Sequence, residues 1–353
     1  MIKTLSAVLV EPKKPLEIEE LIIPDPSTEQ VVVEQIASGI CLSQVHEIDK
    51  TPLDQCPRLI GHEGVGIATH VGSSVKSIKE GDKVITTWVP RSNFPGRDFS
   101  DSLVTGIKYK GKELTGKMGT FSQKCLVDQE LVVPIPSQYY SEEASIVGCA
   151  VLTGAGSVLH TASVRPEDSV AVVGVGGVGL SAIKMASLLQ AYPIVAIDIS
   201  DKKLDFARKW GATHTINSTK IDPIEEVFKI AKGGVDFAFD AVGTKKTHEI
   251  ILPMVRGGGP GAYNNGGTAI LIGWPHETME IAPRDFLFFQ RQYKGSHGAS
   301  DPDKDFKMYL RLDAEGKFPL KELVTKKYDF VDINKGLSDL RDGRIFGRAL
   351  VTF

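Results

Sequence analysis

Short apolar runs separated by glycine and proline fill the first 150 residues of the chain. The runs with the length and β-branched content of strands lie at 31–33, 64–71, 83–87 and 131–135. Residues 1–16 also read as a strand, because charged residues follow their short apolar stretch at once and no secretory signal results. Stretches with helical spacing are few. The pattern predicts an irregular, β-rich domain.

From about residue 165, strand-like and helix-like patterns alternate. The apolar strand runs lie at 169–173, 195–198, 235–240 and 268–273. The segments with helical spacing lie at 180–190, 201–210, 222–232 and 245–256. Strands that alternate with helices predict a parallel sheet with helices on both faces. After residue 298 the segments are mixed, and residues 348–353 form a last strand.

Length and composition change this picture little. A chain of 353 residues is long enough for two domains, and 42% hydrophobic with 24% charged residues is typical of globular proteins. A net charge of -3 gives no reason to expect nucleic acid or an anionic membrane as a partner. No apolar run approaches the roughly 20 residues that span a bilayer. Four cysteines are too few for a disulfide scaffold and favour the reducing cytoplasm.

A glycine-rich turn follows the strand run at 169–173 and opens the next helical segment. It reads Gly174-Val175-Gly176-Gly177-Val178-Gly179 and fits the dinucleotide pattern G-x-G-x-x-G. The first glycine permits a tight turn, the second lets a pyrophosphate approach the backbone, and the third lets helix and strand pack closely. The helix N-terminus offers unpaired N–H groups to the phosphates. The context predicts a dinucleotide site.

Asp198 ends the second strand of this half, 19 residues after Gly179. A carboxylate there would bind the ribose hydroxyls and repel a 2′-phosphate, which favours NAD over NADP. Lys203, five residues further on, would reach the same ribose. The alternatives are a solvent-facing helix cap for Asp198 and an ordinary solvated lysine.

Two cysteines and one histidine stand in local settings that suit a metal. Cys41 follows a glycine where strand is expected to become helix, and a helix N-terminus favours the thiolate. His62 lies among closely spaced glycines, and Cys149 directly precedes the nucleotide half. Each alone is more often a buried core residue, so the hypothesis depends on the set. Two cysteines and one histidine hold zinc with an open fourth position, as in the known site of alcohol dehydrogenase.

Longer motifs around these residues resemble the zinc-containing alcohol dehydrogenases of the medium-chain dehydrogenase/reductase superfamily. The motifs lie at 39–46, 61–66, 119–123, 148–154, 234–237, 293–295 and 348–353, so the resemblance covers nearly the whole chain. It implies an α/β fold with a Rossmann doubly wound parallel sheet and a β-rich, GroES-like catalytic domain. The NAD-binding domain would span 153–297, and the zinc-binding domain 1–152 and 298–353.

The resemblance also implies roles for single residues. Cys41, His62 and Cys149 would ligate zinc, with Glu63 behind the metal. Ser43 and His46 would relay the proton of the alcohol to solvent. The resemblance further implies contacts with the ligands: Thr153 and Val178 against the nicotinamide, Arg348 on the pyrophosphate, and Trp88 and Phe121 in the substrate pocket. For the two aromatic residues, an ordinary core position is an equally good alternative.

One lobe and two single positions depart from the family pattern. The lobe at 88–118 lacks the four cysteines of a structural zinc, so we expect one zinc per chain. Gln44 replaces an aspartate that orients the zinc-bound histidine, and we expect its amide oxygen to accept that hydrogen bond instead. Leu42 replaces a cation that contacts the pyrophosphate. Pro52 stands where the glutathione-dependent formaldehyde branch has an acidic residue, which argues against that branch.

The leading hypothesis is a zinc- and NAD-dependent alcohol dehydrogenase. Hydride would pass reversibly between a zinc-bound alcohol or its alkoxide and NAD, giving an aldehyde or ketone. The alternatives are a zinc-containing reductase of an activated C=C bond or of a larger hydroxylated substrate, and a non-catalytic nucleotide-binding protein. The segment 293–299 is similar to the family's intersubunit strand, so a homodimer is expected.

Overall fold

The computed structural model describes residues 1–91, 106–275 and 277–353. Its strands, in chain order, are β1 (Ile2–Leu9), β2 (Glu17–Ile23), β3 (Gln30–Ile40), β4 (Arg58–Leu59), β5 (Glu63–Val71), β6 (Lys83–Thr87), β7 (Lys108–Tyr109), β8 (Lys112–Glu113), β9 (Lys124–Asp128), β10 (Val132–Pro134), β11 (Val170–Val173), β12 (Ile194–Asp198), β13 (His214–Asn217), β14 (Phe237–Asp240), β15 (Thr268–Leu271), β16 (Gln292–Gly295), β17 (Val324–Asp329) and β18 (Arg348–Thr352).

The α-helices lie between these strands. They are α1 (Leu42–Lys50), α2 (Ala150–Gly156), α3 (Gly177–Leu188), α4 (Asp201–Lys209), α5 (Pro223–Ile230), α6 (Lys245–Met254), α7 (Pro283–Leu287), α8 (Pro302–Ala314), α9 (Leu320–Leu323) and α10 (Ile333–Arg341). A seven-residue 3₁₀ helix, Glu142–Gly148, precedes α2, and a π-helix, Ser157–Ala162, follows it. Ser141 caps the 3₁₀ helix, because its side chain accepts a hydrogen bond from Ala144 N.

The chain divides into two units, Met1–Cys149 with Asp301–Phe353, and Ala150–Ser300. The sequence placed these boundaries after residues 152 and 297. The predicted fold class is confirmed: a GroES-like, β-rich unit and a Rossmann-like unit with a parallel sheet.

The first unit is built mainly on antiparallel strands, and its one parallel strand pair among the described residues is β17 with β18. Its largest sheet runs in the order β10-β6-β5-β3-β18-β17, with β9 also paired to β3. A second sheet has the order β2-β1-β4, and β7 pairs with β8. Strand β18 joins this unit because Ala349 pairs with Ile40 at the end of β3. The C-terminal strand therefore lies beside the strand that leads into Cys41.

The second unit holds one six-stranded sheet in the order β13-β12-β11-β14-β15-β16. All five pairings are parallel, as the alternation of strands and helices predicted. The apolar side chains of β11 and β12 are buried, as are Ala238 and Phe239 of β14, which explains the continuous apolar runs in the sequence. The carboxyl end of β11 leads directly into the glycine turn.

Several elements were not predicted from the sequence. Strands β13 and β17 carry polar residues, so neither shows a continuous apolar run or clean alternation of apolar and polar side chains. Helix α8 lies in the stretch described only as mixed. Within the described residues, no single helix has both the length and the apolar composition to cross a membrane, although one bent pair, Glu142–Gly148 with Ala150–Ala162, has them jointly.

Candidate functional site

Three loops of the first unit bring two thiols and an imidazole together. Cys41 stands between β3 and α1 with extended backbone angles (φ -112°, ψ 151°), so the predicted strand-to-helix junction is confirmed. His62 lies between β4 and β5, and Cys149 follows the 3₁₀ helix. Together with a carboxylate oxygen of Glu63, their ligand atoms all lie within 4.8 Å of one another. The structure thus assembles the predicted ligand set from residues up to 108 positions apart.

The spacing of these atoms suits a tetrahedral zinc ion. Bond lengths of about 2.3 Å to sulfur and 2.0–2.1 Å to nitrogen place tetrahedral ligands about 3.8 Å (S to S) and 3.6 Å (N to S) apart. Here Cys149 Sγ lies 4.0 Å from Cys41 Sγ and 3.3 Å from His62 Nε2. The donor set fits zinc, and a fourth position is left for another ligand.

The thiols of Cys41 and Cys149 are hydrogen-bonded to each other, so each changes the pKa of the other. The hydrogen bond from the Cys149 thiol lowers the pKa of Cys41 well below its usual value, and the charge of Arg348 acts in the same direction. The same contact raises the pKa of Cys149, because one proton serves both sulfurs. By contrast, burial raises the pKa of Cys125 to about 12. The chain therefore favours a thiolate at the cluster and an inert thiol elsewhere.

Glu63 lies at the back of the cluster and is fully buried. Its Oε1 accepts a short hydrogen bond from the guanidinium of Arg348, whose side chain is only 6% exposed. Its Oε2 and the Nε of Arg348 have no hydrogen-bond partner among the described residues. A Cβ on Gly39 would lie 2.4 Å from Glu63 Cδ, so the carboxylate is packed against the backbone of β3. The pair thus places a buried carboxylate and its guanidinium partner directly behind the ligand atoms.

Ser43 and His46 lie one turn apart on α1. The hydroxyl of Ser43 is 3.4 Å from His62 Nε2, at the face of the cluster, and both side chains are half-buried. A hydroxyl beside the ligand atoms and an imidazole further along the same helix can pass a proton outward.

The glycine turn of the second unit has the geometry that phosphate binding needs. Gly174 has a φ of +87°, which a residue with a side chain rarely adopts. A Cβ on Gly179 would lie 1.9 Å from the carbonyl oxygen of Gly174, so only glycine allows this approach of helix to turn. Around Gly176, at the N-cap of α3, no described atom lies within 4 Å of a Cβ position. The turn thus leaves open space at a helix N-terminus.

Asp198 anchors this turn from the end of β12. Its Oδ2 accepts a hydrogen bond from Val175 N and its Oδ1 one from Ser200 N, both at 3.0 Å. The carboxylate is half-buried, and each oxygen retains a lone pair for a hydroxyl donor. Lys203, half-buried on α4, follows one turn later.

Comparison with known proteins gives the family. Residues 177–315 match the zinc-binding dehydrogenase family, and residues 27–137 match the alcohol dehydrogenase GroES-like domain. The NDMA-dependent alcohol dehydrogenase of Amycolatopsis methanolica is 32% identical, over 97% of each chain. The chain belongs to the zinc-containing alcohol dehydrogenases of the medium-chain superfamily. These enzymes are oxidoreductases that act on CH–OH groups.

Two solved structures are similar over the whole length. A zinc-binding alcohol dehydrogenase domain protein from Burkholderia ambifaria has a TM-score of 0.91 at 26% identity, covering 100% of this chain and 99% of that one. Benzyl alcohol dehydrogenase from Acinetobacter calcoaceticus has a TM-score of 0.89 at 26% identity, with full coverage of both chains.

Within this alcohol dehydrogenase, the two predicted pocket aromatics lie in different surroundings. Phe121 is fully buried in a core with Leu9, Ile60 and other apolar side chains, so it offers no surface to a substrate. This corrects the pocket assignment, and the alternative of an ordinary core residue describes Phe121. Trp88 is half-buried, and a hydrogen bond from its side chain opposes the rise in the Cys149 pKa. Trp88 therefore contacts the ligand cluster itself.

The structure also places Thr153, Val178 and Arg348, which the resemblance assigns to the cofactor. Thr153, on α2, has a buried Oγ1 without a hydrogen-bond partner among the described residues, which suits a polar ligand. A Cβ on Gly154 would lie 2.1 Å from the carbonyl oxygen of Val178, so α2 and α3 pack with their backbones in contact. Arg348 is paired with Glu63, and its contact with a pyrophosphate stays a prediction.

The amide of Gln44 is oriented differently from the prediction, in which its oxygen accepts a hydrogen bond from His62. Its Oε1 accepts a hydrogen bond from Cys41 N at 2.6 Å, and its Nε2 lies 2.9 Å from His62 Nδ1. The amide oxygen is therefore directed at the backbone of Cys41 and not at the histidine, because a backbone N–H can only donate.

Two hydroxyl residues that hold the site were not found from the sequence. Ser38 Oγ donates to Glu63 O, and Thr87 Oγ1 donates to Gly148 O, each at 2.8 Å. Both lie inside strands, where hydroxyl residues are common, so no local pattern marks them. Their role arises from the pairing of β5 with β3 and β6.

Proposed function

We propose that this alcohol dehydrogenase holds one catalytic zinc ion on Cys41, His62 and Cys149 and uses NAD. The observation that supports this most strongly is the approach of their ligand atoms, with that of Glu63, to within 4.8 Å of one another. When bound, zinc would act as a Lewis acid that eases loss of the alcohol proton, and NAD would accept the hydride.

Other side chains near the cluster would transfer the proton, position the ligands and limit the size of the substrate. Ser43 would take the proton of the alcohol, since its hydroxyl lies at the face of the cluster, and His46 would carry the proton toward solvent. Arg348 holds Glu63 in a fixed position behind the ligands. Trp88, beside Cys149, would limit the size of a substrate near the cluster.

The NAD preference is supported by Asp198 and by the glycine turn. The carboxylate at the end of β12 would accept from the ribose hydroxyls and repel the 2′-phosphate of NADP. Gly174, Gly176 and Gly179, with the backbone of Gly177 and Val178, would form the pyrophosphate cradle. Lys203 and Thr153 would complete the contacts to the adenosine and nicotinamide ends.

A single zinc ion per chain is supported by the cysteine count. Of four cysteines, two belong to the cluster, and the remaining pair, Cys56 and Cys125, cannot form a four-cysteine structural site. The lobe where that site would lie includes residues 92–105, which are outside the described part of the chain. Arg91, at the start of the lobe, is buried and paired with Asp303 at 2.7 Å.

The experiment combines metal analysis with turnover. Elemental analysis should find one zinc per chain, and primary, secondary and aromatic alcohols should be tested with NAD, NADP and NDMA as oxidants. Cys149→Ser should lose both zinc and turnover. Cys125→Ser, a buried cysteine of the same unit outside the cluster, should keep both. Zinc retained in Cys149→Ser, or lost equally in both variants, would exclude the proposed ligand set.

Assembly and location complete the proposal. Strand β16 ends the sheet order of the second unit, and the nearby Leu287 and Phe288 are 74% and 65% exposed. An open strand edge beside exposed apolar residues supports a homodimer. Light scattering should give twice the chain mass, and Leu287→Asp should shift the measured mass toward that of the monomer.

The need for free thiols at the metal supports a cytoplasmic location.

A further inference from the structure

The amide of Gln44 contacts two groups at once, and both contacts bear on the proposed zinc site. It accepts from Cys41 N at 2.6 Å and faces His62 Nδ1 at 2.9 Å. Cys41 and His62 are themselves two of the proposed ligands. The side chain of Gln44 is fully buried, so loss of either contact leaves a buried polar group unpaired.

Donor and acceptor chemistry fixes the direction of both hydrogen bonds. A backbone N–H only donates, so the amide oxygen must face Cys41 N. The amide NH₂ then faces His62, and it also only donates. His62 Nδ1 must accept, which leaves the proton of the neutral ring on Nε2.

Zinc requires the opposite arrangement. Nε2 is the nitrogen that faces the cluster, 3.3 Å from Cys149 Sγ and 3.4 Å from Ser43 Oγ. A metal bound there uses the Nε2 lone pair, so the ring proton moves to Nδ1 and points at the Gln44 NH₂. Turning the amide over would satisfy Nδ1–H but would set the NH₂ against the N–H of Cys41. In this geometry the two donors face different ends of the amide, so the oxygen that accepts from Cys41 N is not the atom that faces Nδ1.

We infer that zinc binding in this enzyme breaks one of the two Gln44 hydrogen bonds, and that Gln44 thereby weakens zinc retention. A glutamate of the same length has two acceptor oxygens, one for each donor. Gln44 is a positioning residue, because it acts through Cys41 and His62. The inference rests on the proposed zinc site.

The first test measures zinc affinity in the full chain by competition with a chromophoric chelator. Gln44→Glu should lower the Kd for zinc by about 10- to 100-fold, the range found when outer partners of metal ligands are changed. Leu42→Glu controls for charge, since it adds a carboxylate two residues away at a side chain that is 42% exposed. A Kd unchanged in Gln44→Glu, or lowered equally in Leu42→Glu, would overturn the inference.

The second test needs no variant. Nitrogen-15 NMR of the histidine-labelled wild-type protein should show the proton of His62 on Nε2 without zinc and on Nδ1 with zinc. A proton already on Nδ1 in the zinc-free protein would contradict the inference. The two proposals fail differently: if neither wild type nor Gln44→Glu binds zinc, the proposed function fails and the inference with it. If both bind with equal Kd, only the inference fails.

Discussion

The buried pair of Glu63 and Arg348 offers the sharpest test of how the site is held. Their side chains are 0% and 6% exposed, and the residues are 285 positions apart in the chain. Arg348→Leu would leave the carboxylate of Glu63 charged, buried and unpaired. The backbone at Gly39 gives that carboxylate no room to turn away. We expect this variant to lose about 3–5 kcal/mol of unfolding free energy, the usual cost when one partner of a buried ion pair is removed.

The second variant shows whether charge is the cause. Glu63→Gln combined with Arg348→Leu leaves only a neutral amide, which costs about 1–3 kcal/mol if it stays unpaired. The double variant should therefore be more stable than Arg348→Leu alone. As a matched control, Arg208→Leu removes an arginine paired with Asp205 at the surface, where the arginine is 57% exposed. That change should cost less than about 1 kcal/mol.

Urea unfolding followed by tryptophan fluorescence, with zinc removed by a chelator from all variants, measures the difference. With an m value of about 3 kcal/mol/M, the midpoint of Arg348→Leu should fall by about 1–2 M. If the double variant is as unstable as Arg348→Leu, or less stable, the loss comes from packing, and the electrostatic reasoning is refuted.

Three further changes test the cofactor site. Asp198→Ala should raise kcat/KM with NADP relative to NAD, because the carboxylate that repels the 2′-phosphate is gone; an unchanged ratio removes Asp198 from the site. Leu42→Arg should tighten NAD by about 1–3 kcal/mol in calorimetric titration, and no change counts against a pyrophosphate beside this residue. Gly179→Ala should destabilise the enzyme by about 1–3 kcal/mol in urea, since its Cβ would meet Gly174 O at 1.9 Å; an unchanged unfolding midpoint would contradict this close approach.

Local pattern predicted much of the fold. The alternation of apolar runs and helical spacing predicted the parallel sheet of the second unit, because strands buried on both faces need continuous apolar side chains. Strand β6 was predicted at its observed bounds, Lys83–Thr87. Strands β13 and β17 were missed, since their pairing depends on neighbours in the sheet and not on their own composition.

The candidate site shows the same difference between residues marked by local sequence and residues whose role depends on tertiary packing. Cys41, His62, Cys149 and the glycine turn could be proposed from the sequence as candidates, because metal and phosphate sites require particular residue types in particular local settings. An aromatic residue has no such local signature, since the same side chain suits a substrate pocket and an apolar core. The sequence could not distinguish a pocket from a core position for Phe121, which the packing of the first unit buries completely.

By itself, then, the sequence determined the class of chemistry: which atoms are available to bind zinc and phosphate, and in what order the elements follow. Only the tertiary structure decided how those atoms are used. The pairing of Glu63 with Arg348 and the two contacts of Gln44 depend on which groups folding brings within hydrogen-bond distance. A hydrogen bond is directional and short, so its partner and its donor are known only when both residues have a position.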